Sequence, residues 1–465
     1  MAVYCARMKA IPRIFARAFP FLFLAFCSCD IHKKLADLDY NEGVRKYEAG
    51  DSAGASNDFT RAIIQNPNRD DAYIYRGIIC HGAGDYTQAI KDYEKAIAID
   101  PEDSTAYCDL GISQEALGKN QEAITNYSEA IRLDPNSTDA YISRASARGA
   151  LQDWDGALAD FSEAERLNAS DPEIYQNRAY VQLLRNEFEL VVTDATKAIS
   201  LTNNDGNSFR FRGLARMQLK DYDNALSDLD AAIKIDPKDP EAFATRGRIK
   251  ETKGDLEGAK LDVATAMKLQ PTNLTAMGTL EIIKLKSDDL PGALAMHLKG
   301  LEYSPKSPDT FQFLGLLQYN SSQYPEAGKS FRKAVELDEK NYYARFWIWS
   351  VRTRLGEPDE ATRELSANLK TRGEDSDHKW ELCIGRFLIG DLSESDLIEQ
   401  ASKTAKRPTD VSGHQCEAHY YSGIKDLLTG NQPGAIDHFR KCVATGEDNY
   451  PEYFSAKIEL RKAEQ

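Results

Sequence analysis

A step of thirty-four residues governs this chain. Glycine stands at Gly43, Gly77 and Gly111, and the same step leads on through Ala145, Ala179, Gly213, Gly247, Glu281, Gly315 and Trp349. Twelve residues into each unit runs a second small column, Ala55, Ala89, Ala123, Ala157, Val191, Ala225, Ala259, Ala293, Ala327 and Ala361. A third holds Ala62, Ala96, Ala130, Ala164, Ala198, Ala232, Ala266 and Ala334, and prolines such as Pro67, Pro101, Pro135 and Pro237 close many units. The register persists from about residue 36 to about residue 375 without an insertion. Columns held in phase that long describe one supersecondary element repeated, which buries its apolar side only by stacking on copies of itself. Facing small residues let two helix backbones approach, Tyr73, Tyr107, Tyr141 and Tyr175 fill the space between units, and the closing proline stops the second helix. The spacing therefore predicts an all-α array of antiparallel helix pairs joined by short turns such as Ala83-Gly84-Asp85.

A charge pattern rides on the same step. Arginine precedes the first small column at Arg76, Arg144, Arg178, Arg212 and Arg246, and sixteen residues after each comes Asp92, Asp160, Asp194, Asp228 or Asp262. Where the arginine is replaced the aspartate goes too: Leu110 with Asn126, Leu280 with Met296, Leu314 with Ser330; Glu42 with Asp58 breaks the rule. Joint loss predicts direct pairing across each hairpin, because a partly buried ion left alone is costly. The ladder reads as scaffold rather than as a ligand site.

The segment "AYIYRGIICHGAGDYTQAIKDYEKAIAIDP", residues 72–101, resembles the tetratricopeptide repeat, and the likeness extends over ten tandem units, 36–375. The resemblance implies a right-handed superhelical solenoid whose first helices line a concave groove for partner proteins or peptides. The matching groove positions here include Ile78, Ile112, Ile142, Tyr180, Leu183, Arg210, Leu214, Met217 and Arg248. They predict an apolar stripe that turns basic near Arg210 and Arg248, suited to a helix or extended peptide with apolar anchors and an acidic end. The lysine–asparagine clamp by which some repeats of this type grip a chain end is absent in its usual form.

The first 29 residues read as an export signal: Arg7, Lys9, Arg13 and Arg17, then an apolar run from Ala18 to Phe26 too short to span a bilayer. The run ends Phe26-Cys27-Ser28-Cys29, which resembles a bacterial lipobox with Cys29 as the lipidated residue, although Phe26 and Cys27 depart from the usual pattern. This predicts an exported chain, lipid-anchored in a bacterial cell envelope and facing the periplasm or the cell surface.

Past residue 375 the phase slips. Residues 376–415 read as a degenerate helical unit, 416–449 as a last repeat, and Pro451–Glu464 as a helix capping the open end, the last two making one segment, 416–465. The strings "YYARFWIW" (342–349), "FLIGDLSESDLIEQA" (387–401) and "CEAHYYSGIKDLLTGNQPGAIDHFRKCVA" (416–444) resemble the end of NlpI-type bacterial lipoproteins. That family implies a periplasmic adaptor, often homodimeric, that tethers envelope proteases and cell-wall hydrolases. Cys416 and Cys442 fall on facing helices of the last repeat, and three readings stay open: unpaired thiols, a disulfide, or a zinc site with His414, His419 and His438. The spacing matches no familiar zinc motif, so neither a metal nor a cofactor is expected.

With 58 basic against 73 acidic residues the formal charge is −15, which disfavours nucleic acid and anionic lipid as partners of the folded body. No glycine-rich phosphate loop, HExxH or GxSxG is present, and no segment outside the repeats is long enough for a catalytic domain. The expected function is an envelope scaffold or adaptor that binds proteins through its groove, not an enzyme. The alternative is a permanent structural subunit of an envelope assembly such as a secretion or pilus apparatus.

Overall fold

The computed structural model describes residues 19–202, 204–303, 306–372, 378–447 and 450–464, with the side chains of 19–30, 371, 372, 408, 409 and 464 not described. The export segment before residue 19 and the side chain of Cys29 lie outside this description.

Among the described residues every regular element is a helix. They run α1 Phe19–Glu48, α2 Ser52–Gln65, α3 Asp70–Gly82, α4 Tyr86–Ile99, α5 Ser104–Ala116, α6 Asn120–Leu133, α7 Thr138–Ala150, α8 Trp154–Leu167, α9 Pro172–Leu184, α10 Phe188–Leu201, α11 Gly206–Gln218 and α12 Tyr222–Ile235. Then follow α13 Pro240–Thr252, α14 Leu256–Leu269, α15 Leu274–Lys286, α16 Leu290–Leu301, α17 Pro308–Asn320, α18 Tyr324–Leu337, α19 Tyr342–Arg354, α20 Pro358–Arg372, α21 Lys379–Ile389, α22 Glu394–Lys403, α23 Pro408–Leu428, α24 Gln432–Ala444 and α25 Pro451–Glu464. The chain divides into two compact units that part between Pro237 and Lys238. No described helix is long and apolar enough to cross a membrane.

The small columns have a direct cause. A β-carbon on Gly77 would stand 2.8 Å from the Tyr93 ring, one on Gly111 2.6 Å from Tyr127, and one on Gly315 2.7 Å from Phe331. In each case the ring belongs to the second helix of the same hairpin, sixteen residues on, and lies flat against the bare backbone of the first. Ala55, Ala89, Ala123 and Ala157 are fully buried at the reciprocal contact. The hairpin turn recurs as well. The residue before the second helix's N-cap position has a positive φ at every described step, as at Gly84 (82°), Gln152 (62°), Asn186 (60°), Lys220 (62°) and Ser322 (61°). Asp51, Asp85, Asp153, Asp255 and Asp289 then accept a hydrogen bond from the backbone N–H three residues on, capping the second helix.

The charge ladder is formed. Arg144 donates from Nε (3.0 Å) and Nη2 (2.7 Å) to the two oxygens of Asp160, and Arg76–Asp92, Arg178–Asp194, Arg212–Asp228 and Arg246–Asp262 repeat this fork. Nη1 reaches back to the preceding hairpin, to Thr60 from Arg76 (3.2 Å), Ser128 from Arg144 (3.0 Å) and Thr196 from Arg212 (3.1 Å). Where the pair is lost, neutral bonds replace it: Asn126 donates to Gln114 (2.7 Å) and Ser330 to Gln318 (2.7 Å). Asp58, the exception, takes Lys46 of the first helix at 2.7 Å and Arg61 of its own helix, in place of an arginine before the first small column.

One hairpin departs from the rule. Glu281 fills the glycine column and His297 the aromatic column sixteen residues later, so a carboxylate–imidazole pair (3.1 Å) stands where a ring covers glycine elsewhere. His297 lies on α16, the second helix of this hairpin. Its second nitrogen also lies 3.1 Å from the Thr310 carbonyl. Burial works against its charge, but the hydrogen bond and charge of Glu281 outweigh it and hold the pKa above the ordinary 6.5.

The C-terminal part differs from expectation in two respects. The first helix of the last hairpin begins at Pro408, eight residues before 416, because the degenerate unit ends at α22. Helix α25 does more than cover an open end: it folds back on α17 and α23. Asn320 donates to Ser455 (3.0 Å, both buried), Arg354 pairs with Glu459 (3.0 Å) and Arg461 with Asp288 (2.7 Å). The string 342–349 supplies the core beneath it, with Phe346, Trp347, Ile348 and Trp349 all buried.

Candidate partner-binding groove

In the first unit α3, α5, α7 and α9 each touch the next odd-numbered helix, and among the described residues no comparable packing joins successive even-numbered ones. Helices that crowd on one side and splay on the other place the first helix of each hairpin on the concave face.

The structure separates the expected groove residues. Tyr180 (48% exposed) and Ile112 (38%) stand open on this face, and Leu214 and Met217 are half-buried on it. Ile142 is corrected: it is 4% exposed and packs in the core with Phe161 and Tyr175, because the helix turns that position towards its own hairpin. Ile78 is half-buried against Tyr93 and Leu110, and Leu183 against Ala179 and Val191. The two basic positions fall in different units. Arg210 lies over the Phe211 ring, 4.8 Å from its centroid, and donates to Asn207 (3.0 Å), so its guanidinium is held against its own helix; Arg248 is exposed and belongs to the second unit.

A cleft of about 660 Å³ opens among α5, α7, the start of α8 and α9. Its walls include Trp154, Phe161, Tyr180 and Leu184, and Glu115, Ser146, Gln152 and Asn177 are its polar members. Neither Trp154 nor Glu115 was expected. Trp154 is delivered by the second helix of its hairpin, just after the positive-φ residue Gln152, and Glu115 lies one turn beyond Ile112 on the groove face. The Tyr127 hydroxyl donates to Glu115 (2.9 Å), while burial holds its pKa above the usual carboxylate range. On the same helix burial, reinforced by Asp103, pushes Asp109 up to about 6, and burial with the nearby Asp109 and Asp139 pushes the Cys108 thiol up to about 12. The concave face of this unit is apolar and acidic.

In the second unit the corresponding face is partly taken by the chain itself. The cleft there, about 470 Å³, lies between α15, α17 and α25 and is walled by Ile282, Leu285, Phe313, Leu316, Phe454 and Ile458.

The cysteine–histidine constellation comes together only in part. Cys416 Sγ and Cys442 Sγ are 3.0 Å apart and fully buried. His419 and His438 face each other through Nδ1 at 3.2 Å, and His438 Nε2 lies 3.1 Å from Glu394. His414 turns away, stacked on Trp380 with centroids 4.5 Å apart. Burial and then the His438 charge push His419 down to about 4. Among the described residues no group of three or more His, Cys, Asp or Glu is arranged to hold a metal ion.

Comparison with known proteins agrees with the repeat geometry. The family profile described as "TPR repeat" matches residues 77–118 and 115–152, and that described as "Tetratricopeptide repeat" matches 211–239. Similar solved structures include YrrB, described as a TPR protein with an unusual peptide-binding site (22% identity over 40% of this chain and 96% of that one, TM-score 0.34). Pseudomonas aeruginosa pilF aligns at 18% identity over 44% of this chain and 94% of its own (TM-score 0.41). Yeast Tom70 aligns at 15% identity over 86% and 99% (TM-score 0.39).

Proposed function

We propose that this chain, which is built of tetratricopeptide repeats, is a non-catalytic adaptor that recruits a partner protein to a bacterial cell envelope through the groove of its first unit. Proteins of this family generally mediate protein–protein interactions. The observation that carries the reading is the open concave face of α3 to α11, where Tyr180 and Ile112 stand exposed beside a formed cleft, while the matching face of the second unit is partly occupied by α25. Exposed apolar groups in a concavity mark a place where another chain is desolvated. Anchoring through Cys29 is part of the proposal, supported by the basic start, the short apolar run and the Ser28-Cys29 junction.

Crosslinking and affinity capture from intact cells tests this, comparing the native chain with Tyr180→Ala/Leu214→Asp and with Cys29→Ala. A partner lost with the groove variant and retained by the unanchored one supports the adaptor. Stoichiometric co-purification indifferent to the groove variant points instead to a permanent structural subunit.

A further inference from the structure

We propose that the cleft of the first unit seats a lysine or arginine side chain of the partner protein, its cation on Glu115 and its methylene stem between Trp154, Tyr180 and Leu184. This rests on the groove reading above and adds the chemistry of the occupant.

The argument starts from charge. Glu115 is half-buried, and the Tyr127 hydroxyl is its single hydrogen-bond partner; among the described residues no cation pairs with it or with Asp109 two turns away. The arginines around the cleft have carboxylate partners of their own. Arg144 and Arg148 both pair with Asp160 at 2.7 Å, and Arg178 is divided between Asp194 (2.7 Å) and Glu165 (2.6 Å). Arg144 and Arg178 cannot swing into the cleft without uncovering a buried carboxylate, and Arg185, next to Leu184, bridges Asp155 and Glu187 at 2.9 Å each. Partly desolvated carboxylates without counter-ions are unfavourable in the free protein, which is why Glu115 and Asp109 both hold protons more tightly than usual. A cation arriving from outside removes that penalty.

The walls suit the same guest. Tyr180 and Leu184, each 48% exposed, and Trp154 offer aromatic and aliphatic surface on the way to Glu115. Lysine and arginine bury an apolar stem while holding the charge at its tip, and aromatic faces attract the cation. An acidic side chain meets like charge here, and a purely apolar one leaves Glu115 buried and unneutralised. The occupant is thus opposite in charge to the acidic-ended peptide expected from Arg210 and Arg248.

The test uses the full chain and short acetylated, amidated leucine-rich peptides carrying one arginine, one citrulline or one glutamate, with affinity read by fluorescence anisotropy. The arginine peptide binds the native chain at least tenfold more tightly than the citrulline or glutamate peptide. Glu115→Gln removes that preference. Its amide oxygen still accepts from Tyr127, so the fold is kept, and Tyr127→Phe, which removes the hydroxyl shared with Glu115 and Ser143 but keeps the carboxylate, retains the preference. Glu129→Gln, at a half-exposed carboxylate on α6 paired with Arg132, leaves it unchanged. Equal weakening by Glu115→Gln and Glu129→Gln means diffuse attraction to an acidic surface and overturns the proposal, as does arginine binding no better than citrulline. If Glu115→Gln leaves capture of the native partner intact while Tyr180→Ala/Leu214→Asp abolishes it, the groove stands and the cation pocket falls. If neither variant alters capture, the groove reading itself fails.

Discussion

Arg144 binds Asp160 through two nitrogens and Ser128 through a third, so one side chain from α7 ties together its own hairpin and the hairpin before it. Asp160 is 4% exposed and also receives Arg148 at 2.7 Å. A carboxylate buried this deeply is tolerable only with its cations in place.

That relationship predicts a rescue. Arg144→Leu and Asp160→Asn alone should each cost about 2–3 kcal/mol, since each leaves a hydrogen-bonded ion without its fork. The double variant reproduces the neutral pair Leu110 and Asn126 and should lie about 1–2 kcal/mol below the sum of the two. Denaturant unfolding monitored by circular dichroism reads the cycle, and strict additivity would show that the two residues do not act as a pair.

Two glycine substitutions should have opposite signs. At Gly111 a methyl group falls 2.6 Å from the Tyr127 ring, so Gly111→Ala should lower stability by about 1–3 kcal/mol. Gly278, inside α15, has nothing within 4 Å, and Gly278→Ala should raise stability by about 0.5–1 kcal/mol by restoring helix propensity. A thermal melt in which both destabilise would contradict the packing assigned to the column.

The Glu281–His297 pair makes one hairpin sensitive to pH. The folded pKa of His297 is held above its unfolded value of 6.5, so its contribution is fully present below that value and disappears as pH rises through the folded pKa. Glu281→Gly with His297→Phe installs the pair found at Gly315 and Phe331, and the melting temperature should lose this slope. Proton NMR titration of His297 checks the direction, and an imidazole titrating below 6.5 would refute it.

Cys416 and Cys442 should become linked when the chain folds in the presence of a disulfide oxidant such as oxidised glutathione. Each new bond takes two thiol hydrogens and leaves two molecules of reduced glutathione. In the folded, reduced chain both should resist alkylation, because the contact with Cys416 and then burial hold the Cys442 pKa far above the ordinary thiol range. Peptide mapping under non-reducing conditions decides this, and rapid iodoacetamide labelling of the native chain would place the thiols at the surface.

What the sequence disclosed follows a physical divide. Pairs at a constant separation were legible, because both partners sit in one register: Arg76 with Asp92, lost together at Leu110 and Asn126. The meaning of Glu281 in a glycine column was not, since His297 answers it from the column of rings rather than the column of aspartates. The groove was legible as a face but not residue by residue. Ile142 turns into its own hairpin, Arg210 folds onto Phe211, and Trp154 reaches the cleft from a second helix by way of a turn. Helix α25 returning to α17 joins positions such as Asn320 and Ser455 that no repeat spacing relates.

The closure of the strongest pairs within single hairpins bears on how such a chain can change length. Glycine meets ring, arginine meets aspartate, and Glu281 meets His297, all inside one thirty-four-residue block. Copying or deleting a whole block carries both members of each of these pairs, while bonds between blocks, such as the arginine's third bond to a threonine, serine or glutamate of the block before, must find new partners. Heredity can therefore lengthen or shorten this array by recombination at the turns with little immediate penalty, whereas exchange of half a block strands a buried charge.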